Sequence, residues 1–176
     1  MSYTPHIKEK PRFLHAAIQL VFTSILAAFL ASGYAWDAIA RAAAGMLEAA
    51  GVQTAYVSRL FLMYVKLPDG NVVGFRILLE CSGLITLLIF AFISSLTIGL
   101  LRGSLKIKIA WFLLSASVGF IWNLCRLVAV IAVAYSFGVS AFELLHYILA
   151  PTIDFVWIVS LWALGMSWLR KGEVST

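Results

Sequence analysis

Three residues that could do chemistry lie at or inside apolar stretches of the sequence: Cys81, Arg126 and His146. Cys81 directly precedes a long apolar run, for which Ser82 is the predicted helix N-cap. At a helix N-terminus, the unpaired backbone N–H groups and the positive dipole end stabilise a thiolate or an oxyanion. A nearby negative charge raises the pKa of a thiol, so Glu80 opposes this effect and a cationic partner is needed to offset it.

Arg126 is a candidate for that partner. It lies in the apolar context Asn123-Leu124-Cys125-Arg126, where a charge is costly unless it faces a partner or a wet cavity. Asn123 precedes it by one turn and either orients it or bonds a neighbouring helix. Asp154 is a second charge inside an apolar run, and it either has a functional role or caps the backbone freed by Pro151.

His146 is the third candidate. It follows Ser140-Ala141-Phe142-Glu143, a capping-box pattern that predicts the start of a helix near Ser140. Glu143 and His146 are three positions apart and share a helix face, so Glu143 is a plausible partner that orients the imidazole.

Other interpretations of these residues stay open. Cys81 could be an inert small hydrophobic residue, or half of a disulfide with Cys125. Arg126 could be an interfacial anchor whose charged end snorkels to the membrane surface. The sequence contains no cysteine pair with zinc spacing and no Gly-rich phosphate loop, so we expect neither a metal nor a cofactor.

The composition shows which elements must position these residues. The chain has 176 residues, of which 62% are hydrophobic and 12% are charged, whereas soluble domains are about 25% charged. We therefore expect an all-α polytopic membrane protein in which 1–176 form one domain. Four apolar runs are long enough to span a bilayer, namely 13–31, 84–101, 109–137 and 147–169.

The basic residues predict the orientation of these spans. If the spans alternate, the lysines and arginines that flank them fall on one side, which is then the cytoplasm. We thus expect a multi-pass protein of the cell inner membrane with both termini in the cytoplasm. The net charge of +5 fits anionic lipid head groups better than nucleic acid, because the basic residues flank apolar runs.

Distance along each helix places the three candidates at a similar depth. Measured from the basic residue at the cytoplasmic end of its span, each lies near the outer boundary: Cys81 about 31 Å from Arg102, Arg126 about 27 Å from Lys108, and His146 about 36 Å from Arg170. If the third span is centred on 117–137 instead, Arg126 lies in mid-membrane and lines a deep cavity.

The outer segment 33–80 has structure of its own. Residues 36–50 place Asp37, Arg41 and Glu48 on one side of a helical wheel, which predicts an amphipathic helix lying on the membrane and ended by Gly51. Two runs rich in β-branched and aromatic residues flank Pro-Asp-Gly-Asn, which predicts a β-hairpin. We expect the helix and the hairpin to roof the site.

These residues resemble the exosortase/archaeosortase family of membrane-embedded cysteine transpeptidases. The resemblance covers about 70–160 and rests on Glu80-Cys81-Ser82-Gly83 before one span, Asn123-x-x-Arg126 in the next, and His146 before the last. It implies that Cys81 is the nucleophile, Arg126 the essential arginine and His146 the third member. A histidine at the third place is more similar to the bacterial members, and the short chain resembles the compact types, such as exosortase H.

The resemblance also implies a reaction. Family members act on exported proteins whose C-terminus carries a short motif, one transmembrane helix and a basic tail. The expected partners are such proteins, membrane lipid, and a lipid or glycan acceptor. Two alternatives remain: a thiol–disulfide oxidoreductase that uses Cys81 and Cys125, and a non-enzymatic membrane assembly subunit.

Overall fold

The structure, a computed structural model, describes residues 10–78, 83–101 and 104–174. Within these ranges it is mainly helical, with one small sheet. In chain order the elements are α1 (Lys10–Ala31), α2 (Tyr34–Ala49), β1 (Thr54–Val57), β2 (Leu62–Lys66), β3 (Val72–Arg76), α3 (Leu84–Leu100), α4 (Leu105–Phe137), α5 (Val139–Leu144) and α6 (Ala150–Val174).

In the described part of the chain, three helical stretches are long and apolar enough to cross a membrane. They are Phe13–Ala31, Leu105–Phe137 and Val139–Leu169. The predicted second span corresponds to α3, which is apolar but has only 17 residues. The predicted number of four spans therefore stays a prediction.

The helices α1 and α3 pack closely along their length. Gly99 of α3 lies against the backbone of Ala16, so closely that an added Cβ would be 2.8 Å from the Ala16 Cα. Thr23 and Ser95 share a buried hydrogen bond of 2.6 Å between their hydroxyl oxygens. Small residues and hydroxyl pairs of this kind hold helices together where lipid removes the hydrophobic driving force.

Lys108 is buried, although the sequence grouped it with the basic residues of a cytoplasmic loop. Its ammonium group donates to the carbonyl oxygens of Gly99, at 2.8 Å, and of Leu101. These carbonyls belong to the C-terminal end of α3, which a cation stabilises. Lys108, in the first turn of α4, therefore caps the C-terminal end of α3.

The outer segment is built around the apolar face of α2. This face is buried against α4 and the inner face of the sheet, and its members are Ala35, Ile39, Ala40, Ala43, Ala44 and Leu47. The prediction that this helix lies with its apolar face on the membrane is therefore wrong, because protein covers that face. The predicted ending at Gly51 is confirmed, since Gly51 has a φ of 84° just after the helix.

The sheet contains the predicted hairpin and one strand more. The strand order is β1-β2-β3, and both pairs are antiparallel. The run before the turn was predicted as one strand, but it divides at a short 3₁₀ turn, Ser58–Leu60, and at Phe61, which has a φ of 49°. The Phe61 ring packs on Trp36 of α2 at 5.5 Å between ring centroids, which joins the sheet to the helix.

The segment that carries His146 is helical throughout. α5 follows α4 after Gly138, and a single π-helical turn, Leu145–Leu149, connects α5 to α6. The predicted capping box at Ser140 is wrong, because the helix already begins at Val139 and has no side-chain cap. Isolated π-helical turns are frequent at functional sites.

Candidate active site

The predicted nucleophile, Cys81, lies outside the described residues, as do Glu80 and Ser82. The structure resumes at Gly83, which has a φ of 70° and occupies the N-cap position of α3. The prediction placed the N-cap at Ser82, so the helix begins one residue later than expected. Gly83 marks the start of α3, and the residues around it form the candidate site.

Asn123 of α4 holds the start of α3. Its side chain is buried, and its Nδ2 donates a hydrogen bond of 3.0 Å to the Gly83 carbonyl oxygen. An added Cβ on Gly83 would overlap the Asn123 side chain and would lie 3.1 Å from Nη2 of Arg126. Of the two roles predicted for Asn123, the bond to a neighbouring helix is the one observed. It brings α4, and Arg126 with it, against the last residue of the predicted Glu80-Cys81-Ser82-Gly83 motif.

Arg126 forms a buried ion pair with Asp154 of α6. Its Nη1 lies 2.7 Å from Asp154 Oδ2, and the two side chains are 12% and 5% exposed. Trp122 Nε1 donates to Oδ1 at 3.3 Å, and the Thr86 hydroxyl donates to Oδ2 at 3.4 Å. Asp154 therefore connects α3, α4 and α6, and the alternative role of capping the backbone near Pro151 is not observed.

His146 is held by aromatic rings. Phe142 stacks on it with centroids 5.2 Å apart and 7° between the ring planes, and Tyr147 meets it edge-on at 5.0 Å. Phe75 of β3 packs on Phe142 at 5.0 Å, so the sheet supports the stack from outside. The prediction that Glu143 orients His146 is wrong, because Glu143 is exposed and has no hydrogen bond to His146 in the structure.

Arg126 and His146 line two neighbouring cavities. Arg126 lines a cavity of about 270 Å³ between α4 and α6. His146 lines a cavity of about 310 Å³ between β3 and the helices α4 and α5. Val130 contributes to both walls, so the two cavities are neighbours at this residue. The structure thus brings two of the three predicted residues together from distant parts of the chain.

Cys125 also lines the cavity beside Arg126, where it is an exposed free thiol. Its side chain is not part of the core. Among the described residues, no disulfide involves Cys125.

A polar cluster fastens the sheet to α2. Asp37 accepts hydrogen bonds from Ser58, from Arg41 at 2.6 Å and from Tyr56 at 3.1 Å. The Ser58 hydroxyl is the main reason that the pKa of Asp37 is lowered. Burial, followed by the bond to Asp37, raises the pKa of Tyr56 to about 12. Asp37 was predicted only as part of a polar helix face, whereas its main contacts reach the sheet.

The arrangement defines a class of protein. Long apolar helices, with buried charges on α4 and α6 that face the start of α3, are those of a multi-pass membrane protein with an internal polar site. A comparison with family models matches residues 11–172 to the family described as transmembrane exosortase, EpsH. The chain belongs to this family, as its motifs predicted. No curated protein matches the chain, and no solved structure matches it either.

Four residues of the site were not predicted from the sequence: Thr86 and Trp122 at the ion pair, and Phe142 and Tyr147 at the imidazole. Trp122 and Phe142 each lie within one helical turn of a candidate, so helix periodicity could have found them. Nothing in the sequence indicated Thr86, because its bond to Asp154 depends on how α3 and α6 are rotated.

Proposed function

We propose that this protein is a cysteine transpeptidase of the cell inner membrane that cleaves C-terminal sorting signals from exported proteins. Each signal comprises a recognition motif, one transmembrane helix and a basic tail. The reaction takes place on the extracytoplasmic face, and Cys81, Arg126 and His146 perform it. Family membership supports the reaction class, and the remaining parts of the proposal rest on the site.

One observation carries the assignment. Asn123 and Arg126 lie directly against Gly83, and the cavities that Arg126 and His146 line share Val130. Consecutive Cα atoms are about 3.8 Å apart, so covalent connectivity alone keeps the Cα of Cys81 within about 8 Å of the Cα of Gly83. A thiol, a guanidinium and an imidazole are the groups that this acyl transfer requires, so we assign Cys81, Arg126 and His146 to one site.

The reaction proceeds through a thioester. The Cys81 thiolate attacks the scissile carbonyl carbon, and Arg126 stabilises the charge that develops on the carbonyl oxygen. The C–N bond then breaks, and His146 gives its proton to the leaving amine. An acceptor amine on a lipid or glycan, or a water molecule, next loses a proton to His146 and attacks the thioester. The Cys81 thiolate is thereby regenerated.

The bilayer brings the substrate to this site. The transmembrane helix of the sorting signal approaches sideways through lipid, which places the motif at the outer rim of the helices. Exposed apolar side chains on α4 and α6, such as Ile121 and Phe155, face the surroundings and suit contact with lipid or with such a helix.

Co-expression with an exported protein that has a tripartite tail tests the proposal. The variants Cys81→Ala, Arg126→Ala and His146→Ala should each leave the tail uncleaved at unchanged membrane abundance. The matched control Glu143→Gln changes an exposed carboxylate beside the site and should cleave normally.

The outcome separates the three function classes. Normal processing of the tail by Cys81→Ala would rule out Cys81 as the nucleophile. If all three alanine variants keep the cell phenotype of the wild type, a non-enzymatic assembly role is favoured. Loss of activity in Cys125→Ala, with altered redox state of exported proteins, would favour the thiol–disulfide enzyme.

A further inference from the structure

The strand β3 has an open edge beside His146. The sheet order places β3 at one side, and within the described residues no strand pairs with it there. Open edges offer unpaired N–H and C=O groups to another extended chain. The backbone groups of β3 that point away from β2 determine what this edge can bind.

Two backbone hydrogen bonds, one at each end of β3, fix the direction of every backbone group in the strand. The amide of Leu67 donates to Asn71, and that of Ile77 donates to Phe61. In an antiparallel pair the hydrogen-bonded positions recur at every second residue. The groups of Val73 and Phe75 therefore point to β2, and those of the alternate residues point to the open edge, namely Val72, Gly74 and Arg76.

The cavity that contains His146 runs along this strand. Six consecutive residues, from Val73 to Leu78, line it, and its opposite wall comes from α4 and α5. Successive side chains of a strand point to opposite faces, so a cavity lined by consecutive residues follows the edge rather than one face. Its volume of about 310 Å³ suits a few residues of an extended peptide more than a folded element.

The charge of the cavity indicates the occupant. Arg76, His146 and the Tyr147 phenol are the polar side chains among the described residues that line it, and no carboxylate is part of that lining. Arg76 is exposed and forms no ion pair within the structure. The remaining wall is apolar. An extended peptide would form hydrogen bonds with the unpaired backbone groups of the β3 edge. One acidic side chain of that peptide would pair with the charge of Arg76.

We propose that the recognition motif of the substrate binds as a fourth strand on the open edge of β3, with an acidic side chain of the motif at Arg76. This inference rests on the proposed function and adds where and how the motif is held. Main-chain hydrogen bonds to Val72, Gly74 and Arg76 give affinity, and the ion pair with Arg76 selects the sequence. A motif in this place passes directly beside His146.

Gly74 allows a matched pair of variants. An added Cβ would touch Tyr64 and Leu62 at ordinary distances of 3.4 and 3.5 Å, so the strand tolerates a side chain there. Gly74→Pro removes an N–H that β2 does not use, and proline is accepted at such edge positions. Gly74→Ala keeps that N–H. We expect about a tenfold loss of kcat/KM for Gly74→Pro, mainly through KM, and less than a threefold change for Gly74→Ala.

Hydrogen exchange gives a second and independent measurement. The probe is the tailed exported protein of the cleavage assay, added to Cys81→Ala enzyme in lipid nanodiscs. Strand addition slows exchange at the amides of Val72, Gly74 and Arg76. It leaves Val73 and Phe75 almost unchanged, because those amides already bond β2. Protection that does not alternate, or none at all, would overturn the inference.

A charge exchange tests Arg76. Arg76→Glu should abolish cleavage of the natural tail, and it should recover cleavage of a tail whose motif carries Lys in place of its acidic residue. If Arg76→Glu cleaves the natural tail normally, or if it does not cleave the tail whose motif carries Lys, the proposed ion pair with Arg76 is wrong. Protection at Arg76 by anionic lipid alone, without the tail, would assign the residue to a lipid head group instead.

Failure of the inference is distinguishable from failure of the proposed function. If the wild type cleaves the tail while Gly74→Pro cleaves it equally well, the edge site is overturned and the transpeptidase stands. If the tail protects alternate amides of β3 but is never cleaved by the wild type, the docking site stands and the transpeptidase is overturned.

Discussion

The ion pair between Arg126 and Asp154 makes the sharpest prediction about how this site works. Asp154→Asn keeps the shape of the side chain and the oxygen that accepts from Trp122, but it removes the charge that holds the guanidinium. Both partners are largely buried, with 12% and 5% of their side chains exposed. Removing one member of a buried pair costs about 3–5 kcal/mol, because the attraction between the two charges is lost while the other charge stays buried.

The expected loss of stability lies at the lower end of this range, about 3 kcal/mol, since the amide still bonds its neighbours. For a chain of this size that corresponds to a fall in Tm of about 6–12 °C. Activity should fall further than stability. A guanidinium displaced by about 1 Å costs on the order of a hundredfold in kcat/KM.

The assay is a double-mutant cycle with Asp154→Asn and Arg126→Gln, measured as thermal unfolding in detergent and as tail cleavage in membranes. The two changes should be coupled by about 1–3 kcal/mol, because they remove the same interaction. Glu143→Gln is the control and should change stability by no more than about 0.5 kcal/mol. If Asp154→Asn behaves like that control, or if the two changes are additive, Asp154 does not position Arg126.

Further predictions concern the surroundings of the site. Gly83→Ala should destabilise the protein by about 2–5 kcal/mol and abolish cleavage, because a left-handed residue gains a Cβ that overlaps Asn123; wild-type unfolding and activity would contradict this. The pKa of Asp37 is lowered in the fold, so its contribution is present above the ordinary value of 3.8 and is lost as the pH falls below it. The stability difference between wild type and Asp37→Asn should therefore be constant near neutral pH and shrink below about pH 4 in thermal melts. Cys125→Ala should retain full cleavage, and non-reducing mass spectrometry of the wild type should show Cys81 and Cys125 unpaired.

Much of the fold follows from the sequence because hydropathy and turn chemistry are local. The apolar runs became α1, α3, α4 and α6 with small changes in their ends. The Pro-Asp-Gly-Asn sequence correctly predicted the position of the hairpin between β2 and β3. The break of the preceding strand was not predictable, since it depends on Phe61 in a left-handed conformation that packing against Trp36 maintains.

The sequence predicted candidate residues for the site but not the contacts that they make. Depth along the helices grouped the candidates, and the same count places Asp154 about 24 Å from Arg170, close to the 27 Å or so found for Arg126. The similar depth of Asp154 and Arg126 was the signal in the sequence that could have predicted their ion pair. Depth says nothing about rotation of a helix around its axis, however. The partners of Asn123 and His146 are set by that rotation, so the bond to Gly83 and the ring of Phe142 emerged only from the structure.

The ion pair also predicts that position 126 requires arginine. A guanidinium carries donors on separate nitrogens in a rigid plane, so one nitrogen can be anchored while another points elsewhere. Here Nη1 holds Asp154 on α6, and Nη2 lies toward Gly83 at the start of α3. Lysine has one ammonium group on a flexible stem. That group could not contact Asp154 and point toward Gly83 at the same time. Arg126→Lys should therefore keep the charge and much of the stability but lose most of the cleavage activity, whereas equal activity would mean that charge alone is what position 126 supplies.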